Sequence, residues 1–217
     1  MEKGRGKLQK NEKMKKWDIL ADRKSVEKTM SALKQNGIKS YFVKNKNDAK
    51  EKVFELLPEK AEIMNMTSVT LDETGIVEAV LNSEKYRHVR KKIEAMNRET
   101  QKREIQQIGA APEWAIGSVH AVTEDGKILI ASNTGSQLPA YAYGADKIIF
   151  VVGTQKIVKN LNDAMKRVYE HTLPLESERA KKAYGVEGSF ISKILLINKE
   201  IKSERIHLIF VDEVLGY

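Results

Sequence analysis

Apolar positions along the chain alternate between helical and strand spacing. From about Lys10 to Gln35, Met14, Trp17, Leu20, Val26, Met30 and Leu33 recur at mostly helical intervals, and Asn36-Gly37 supplies a stop. Ser40–Val43 reads as a short strand. Asn47-Asp48 caps a helix carrying Ala49, Val53, Leu56 and Leu57, closed by Pro58. Ala61–Met66 is a second strand, and Thr70-x-x-Glu73 has the spacing of a capping box opening the next helix. This alternation predicts a parallel sheet flanked by helices. Asn82 to Gly109 is highly charged, with Tyr86, Val89, Ile93, Met96, Ile105 and Ile108 as its apolar positions, and predicts helix with a solvated face.

The most informative stretch is Ala115 to Val158. Ile116–Thr123 predicts a strand, Glu124-Asp125-Gly126-Lys127 a hairpin turn, and Ile128–Ala131 the return. A short helix follows the Asn133–Gln137 loop. Lys147–Val152 is a continuous apolar run of the kind buried on both faces of a sheet. Beyond Gly153, the positions Ile157, Leu161, Ala164, Met165 and Val168 predict an amphipathic helix, and Pro174–Ala180 begins another. Ile194–Ile197 and Ile206–Val211 complete the strands. With no repeat and no low-complexity linker, residues 1–217 read as one α/β domain with a basic N-terminal arm or helix at about 1–35.

Charge sharpens that last point. Residues 1–60 hold 17 Lys/Arg against 9 Asp/Glu, whereas the remainder is balanced at 21 each. The net charge of +8 therefore belongs to the N-terminal quarter. A basic arm can touch phosphate backbones, but no aromatic residues interleave with its charges to stack bases, so nucleic acid is the weakest partner class. The chain has no cysteine, which excludes disulfides, a cysteine nucleophile and iron–sulfur ligation by its own thiolates. No apolar run approaches a membrane span and no signal-peptide core follows Met1, so a cytoplasmic location is expected.

Candidate chemistry lies at the strand ends. Thr67 and Ser68 stand where a strand hands over to a helix start, a place that favours anions, although helix capping alone accounts for them. Asn133, Thr134, Gly135, Ser136 and Gln137 follow a strand, and Gly135 permits close approach of a ligand. Gly153 and Thr154 lead to Lys156, which is either a cation over an anion or a surface lysine at the end of its loop. Because parallel strands present such ends on one edge, these three loops are expected to form one cleft. Neither a Walker loop nor a dinucleotide fingerprint occurs. The four histidines are scattered without metal-ligand spacing, so no metal is expected. His120, in an apolar strand, fits a hydrogen-bonded core histidine better than a general base. It remains a weak catalytic candidate with Glu176 and Glu213. Glu176 and Arg179 stand three apart on one helical face, where they pair, or where Arg179 adds a cation to the ligand site.

The segments GSVHAVTEDGKILIAS, GSQLPAYAYGADKIIFVVGTQKIV, LPLESERAKKAYG and RIHLIFVDEVLGY together resemble the LUD (lactate-utilisation) domain family, over roughly Lys10 to Tyr217. The resemblance implies a Rossmann-like fold of the ribose-phosphate isomerase/CoA transferase type, with ligands at the strand ends. It also implies a role in lactate oxidation beside iron–sulfur partner proteins. Some relatives carry cysteines that this chain lacks, so an iron–sulfur cluster, where one is needed, is expected in a partner and no intrinsic cofactor is expected. The function expected is binding of a small anionic metabolite as a non-redox component of lactate or related organic-acid utilisation. The alternative is an independent isomerase-, transferase- or ligase-like enzyme on a phosphorylated, nucleotide or CoA-linked metabolite. Assembly as a homo-oligomer is left open.

Overall fold

A computed structural model describes residues 16–217. The basic segment before Trp17 lies almost wholly outside the described residues. The first helix among the described residues, α1, runs Arg23–Gln35, because the Asp22 carboxylate accepts from the Ser25 amide at 2.7 Å and fixes its start. It begins later than the apolar spacing predicts: Trp17 is buried ahead of it, but Leu20 is exposed and does not extend the helical stripe.

Six strands make an all-parallel sheet in the order β1 (Lys39–Val43), β10 (Ile206–Val211), β7 (Lys147–Gly153), β4 (Trp114–Gly117), β2 (Glu62–Asn65) and β3 (Arg87–His88). The strands β10 and β7 are interior neighbours, and both are buried along almost their whole length, as their uninterrupted apolar runs require. Four short strands form a second sheet, β8 (Ile157–Val158), β5 (Ala121–Thr123), β6 (Ile128–Ser132) and β9 (Lys193–Ile197). The predicted 116–123 strand thus divides. Gly117 ends β4 in the first sheet, and Ala121 opens β5 in the second.

Three apolar layers follow. One face of the parallel sheet, through Ile149, Val151, Ile209 and Val211, packs on α2 (Lys46–Leu56), α3 (Val69–Glu73) and α4 (Ile76–Leu81). The other face, through Ile148, Phe150, Leu208 and Phe210, meets Ile128, Ile130 and Ile197 of the second sheet, with Leu33 of α1. The far side of the second sheet, through Ala121, Leu129 and Ala131, is covered by Trp17, Ala164 and Val168. Ala164 and Val168 belong to a continuous helical rod: α7 (Leu161–Arg167), a π-helical segment (Val168–Thr172) and α8 (Leu173–Tyr184). Pro174 brings no amide donor to the first turn of α8, which is where the bonding pattern changes. The helix expected directly after Gly153 is instead a 3₁₀ turn (Thr154–Lys156) running into β8, and the short helix after Gln137 is a π-helical turn, Ala140–Gly144. The charged stretch holds α5 (Val89–Glu94) and α6 (Lys102–Ala110). No helix among the described residues is long and apolar enough to cross a membrane.

Candidate functional site

The carboxyl edge of the parallel sheet is where the polar chemistry gathers. Strand β7 ends at Gly153, and the next three side chains, Thr154, Gln155 and Lys156, are all buried. Of these three consecutive buried polar groups, Gln155 and Lys156 find partners in different directions, while Thr154 Oγ1 has none among the described residues. The Lys156 amine donates to Thr70 Oγ1 at 2.9 Å and to Ser118 Oγ at 3.3 Å. The Gln155 amide nitrogen donates to the Leu215 carbonyl at 2.9 Å. Thr70 also donates to that carbonyl, at 3.2 Å. The tail after β10 is thereby drawn across the strand ends, and the Gly216 amide donates to Glu73 Oε2 at 2.7 Å. Thr70 and Glu73 are thus tertiary contacts. The helix cap is Ser68, whose hydroxyl accepts weakly from the Leu71 amide at 3.5 Å.

Gly153 makes this crossing possible. A Cβ there would stand 2.1 Å from Gln155 Oε1, 2.6 Å from the Glu213 carbonyl oxygen and 2.9 Å from the Leu215 amide, and two of those three are backbone. Gly153→Ala should therefore cost about 1–3 kcal/mol in denaturant unfolding, because the tail must shift to admit the methyl group. An unchanged midpoint would show that the tail is not pinned at this point.

A second cation lies behind Lys156. Arg167, at the end of α7, is 0% exposed. Its Nη1 donates to the His120 carbonyl at 2.7 Å and reaches Thr172 Oγ1 at 3.4 Å. Its Nε and Nη2 have no hydrogen-bond partner among the described residues. Arg205, 5% exposed, shows what a satisfied buried arginine looks like in the same protein. Its donors reach Ala140, Tyr141 and Ala145 carbonyls and the Glu200 carboxylate, closing the π-helical turn before β7. Arg205 is structural; Arg167 presents an unused two-nitrogen edge of the kind that grips a carboxylate or phosphate.

The electrostatics agree. Burial pushes the Lys156 amine well below its ordinary range, Arg167 adds to the shift, and Glu73 opposes it. Burial lowers Arg167 to about 10, against the pull of Asp18. His120 is lowered to about 3 by burial, then by Lys156 and Arg167. His171, 1% exposed, is lowered to about 4 by the same three causes. Its Nε2 is 3.2 Å from Asp18 Oδ1, the spacing of an ion pair, but the ring lacks hydrogen-bond geometry and two nearby cations oppose its protonation. We read it as a neutral imidazole beside a carboxylate. Four basic groups thus share one buried region with Asp18 and Glu73 as their acidic neighbours; burial disfavours the charged form of all four, and Arg167 is the one that keeps its charge.

The residues singled out in the sequence divide. Gly153, Thr154 and Lys156 are in the cluster, and Lys156 is buried, which removes the surface-lysine reading. Ser68 caps the helix that brings in Thr70. Thr67 Oγ1 accepts from Arg90 Nη2 at 3.2 Å, farther along the same edge. His120 contributes its carbonyl to Arg167, while its Nδ1 accepts from the Ala131 amide at 3.0 Å, the core histidine expected. Asn133, Thr134, Gly135, Ser136 and Gln137 stand apart, because β6 belongs to the second sheet. Ser132 Oγ binds the Gly135 amide and Gln137, Thr134 bonds Ser136, and Ser192 donates to Asn133, so this loop satisfies itself and its neighbour β9. Among the described residues none of its hydrogen bonds reaches Lys156, so the single cleft expected from three loops is joined here by two. Glu176 takes both Arg179 nitrogens at 2.7 Å and the Tyr217 hydroxyl at 2.5 Å. Burial opposes it, yet these bonds hold the Glu176 carboxyl below its usual range, and Arg179 is committed to that pair. Glu213 is half-buried, and its backbone, not its carboxylate, borders Gly153.

Sequence reading passed over Ser118 and Arg167, took Thr70 only as a capping residue and counted His171 only among the scattered histidines. A signal for two of them was present: Arg167 and His171 fall three and seven positions after the core residue Ala164, on the stripe that helical spacing buries.

A parallel α/β sheet with helices on its flank and buried polar groups at its carboxyl edge defines the class. Residues 26–211 match the family model of the LUD domain, and the chain belongs to that family. Its structure is similar to the crystal structure of a DUF162 family protein from Deinococcus radiodurans, with a TM-score of 0.55 and 10% identity, covering 89% of this chain and 99% of that one. At that identity the likeness is one of fold. No curated protein matches the sequence.

Proposed function

We propose that this LUD-domain protein binds a small carboxylate-bearing metabolite at the sheet's carboxyl edge, as a non-redox component of lactate or related organic-acid utilisation. The observation that carries the reading is Arg167. A fully buried guanidinium with an unpartnered Nε–Nη2 edge is costly unless an anion completes it. A carboxylate fits that edge through two parallel N–H···O bonds. A single charged guanidinium edge favours a small acid that offers one carboxylate. With no cysteine in the chain, thiolate ligation of an iron–sulfur cluster falls to a partner protein.

A thermal-shift screen over organic acids, sugar phosphates, nucleotides and CoA esters tests this. A ligand present at a hundred times its Kd should stabilise the fold by about 2.7 kcal/mol. Stabilisation by small carboxylates, weakening as salt is raised, is the expected result. A response confined to sugar phosphates, nucleotides or CoA esters would overturn it and place the chain among isomerase-, transferase- or ligase-like enzymes.

A further inference from the structure

Lys156 is not built as a counter-ion. Buried lysines that serve structure are as a rule paired with a carboxylate. Among the described residues the Lys156 amine meets two hydroxyls instead, Thr70 at 2.9 Å and Ser118 at 3.3 Å. Both hydroxyls can accept from the amine and pass a proton onward, and Thr70 is itself anchored on the Leu215 carbonyl.

The Arg167 edge is held close by. Lys156 is tied to Ser118, and Arg167 is tied to the carbonyl of His120, two residues along the same segment. The Arg167 charge also acts on the Lys156 amine, so the two side chains face one buried region. Ser118 and His120 are only partly buried, so this side of the cluster borders solvent.

We propose that Lys156 condenses with the carbonyl carbon of a 2-oxo acid whose carboxylate is gripped by Arg167, forming an imine on this chain. The proposal rests on the carboxylate reading above. In the step, the amine nitrogen forms a C–N bond to the carbonyl carbon and the C=O bond opens. The carbonyl oxygen leaves as one water, taking the two amine protons, with Thr70 and Ser118 as carriers. No oxidant or reductant is consumed. Burial and the Arg167 charge favour the neutral, nucleophilic amine. A 2-hydroxy acid would occupy the same fork but has no carbonyl to condense.

The test is reductive trapping on the full chain. Pyruvate, as a simple 2-oxo acid, is added with borohydride, and the adduct is located by peptide mass spectrometry. One saturable adduct at Lys156 is expected. Propanoate, which has the carboxylate without the carbonyl, should compete it away. Acetone, which has the carbonyl without the carboxylate, should not label that residue. Arg167→Lys keeps the charge but loses the fork, and labelling should fall at least tenfold. If carboxylates bind in an Arg167-dependent manner and Lys156 stays unmodified, the imine is overturned and the carboxylate site stands. If no carboxylate binds at all, both fall. Equal labelling in Arg167→Lys would overturn the placement of the acid on Arg167. Because mapping is done on the parent protein, the result does not depend on a Lys156 variant folding.

Discussion

Arg167→Met should weaken carboxylate binding by roughly thirty- to five-thousandfold, the range for truncating one side of a buried charge pair at about 2–5 kcal/mol. The free protein should meanwhile hold its stability. Ordinarily the removal of a large, fully buried side chain is costly, but two terms act in the other direction here. The guanidinium is buried with two nitrogens unpartnered, so its desolvation is incompletely repaid in the free protein. Methionine fills similar space and adapts to it. The loss on the other side is the bond to the His120 carbonyl, about 1.5–3 kcal/mol for a hydrogen bond from a charged group. These terms nearly cancel. Arg205→Met is the contrasting variant: its donors close a π-helical turn and an ion pair, so it should destabilise the fold. Isothermal titration with the best acid from the screen, beside urea unfolding of both variants, reads the difference. An Arg167→Met protein that binds as tightly as the parent would sink the fork. One that unfolds as readily as Arg205→Met would make Arg167 a structural residue like its counterpart.

The contrast between the two arginines also marks where sequence reading stops. Uninterrupted apolar runs at Lys147–Val152 and Ile206–Val211 announced two interior strands, because a parallel strand buried on both faces leaves no polar alternation. The hairpin tip at Gly126 was readable because its φ of 80° suits glycine. Nothing local distinguishes Arg167 from Arg205. Which guanidinium is satisfied depends on carbonyls and a carboxylate far along the chain, such as the Ala145 oxygen that Arg205 reaches. Lys156 was placed at a strand end correctly, but its partner Thr70 comes from α3, which does not lie nearby in sequence. The Asn133–Gln137 loop misled for a related reason. Small polar residues after a strand mark a ligand loop only when that strand belongs to the sheet whose ends meet, and β6 pairs in the other sheet.

The same buried cluster should make the protein acid-labile in a window where carboxylates contribute little. His120 and His171 have native values lowered to about 3 and about 4, against an ordinary 6.5. As pH falls below 6.5 the unfolded chain takes up protons that the native state refuses, so stability declines with falling pH. It is intact above about 6.5, drops through the range down to about 4, and levels once the native rings titrate. His207, whose burial also lowers it, acts with the same sign. The carboxylates held below their usual range, Glu113, Glu176 and Glu204 among them, lose their contribution only below about 4.5. Asp18 and Asp72, raised by burial, gain slightly as pH falls and offset part of the loss. Discounting for the solvent that reaches His120, the net decline between about pH 7 and about pH 4.5 should be about 2–4 kcal/mol. Urea unfolding across that range measures it. His120→Gln combined with His171→Gln should flatten the slope above about pH 5, since glutamine stays neutral. A parent protein whose stability is level from about pH 7 to about pH 5 would show that these rings protonate freely and that burial does not hold them neutral.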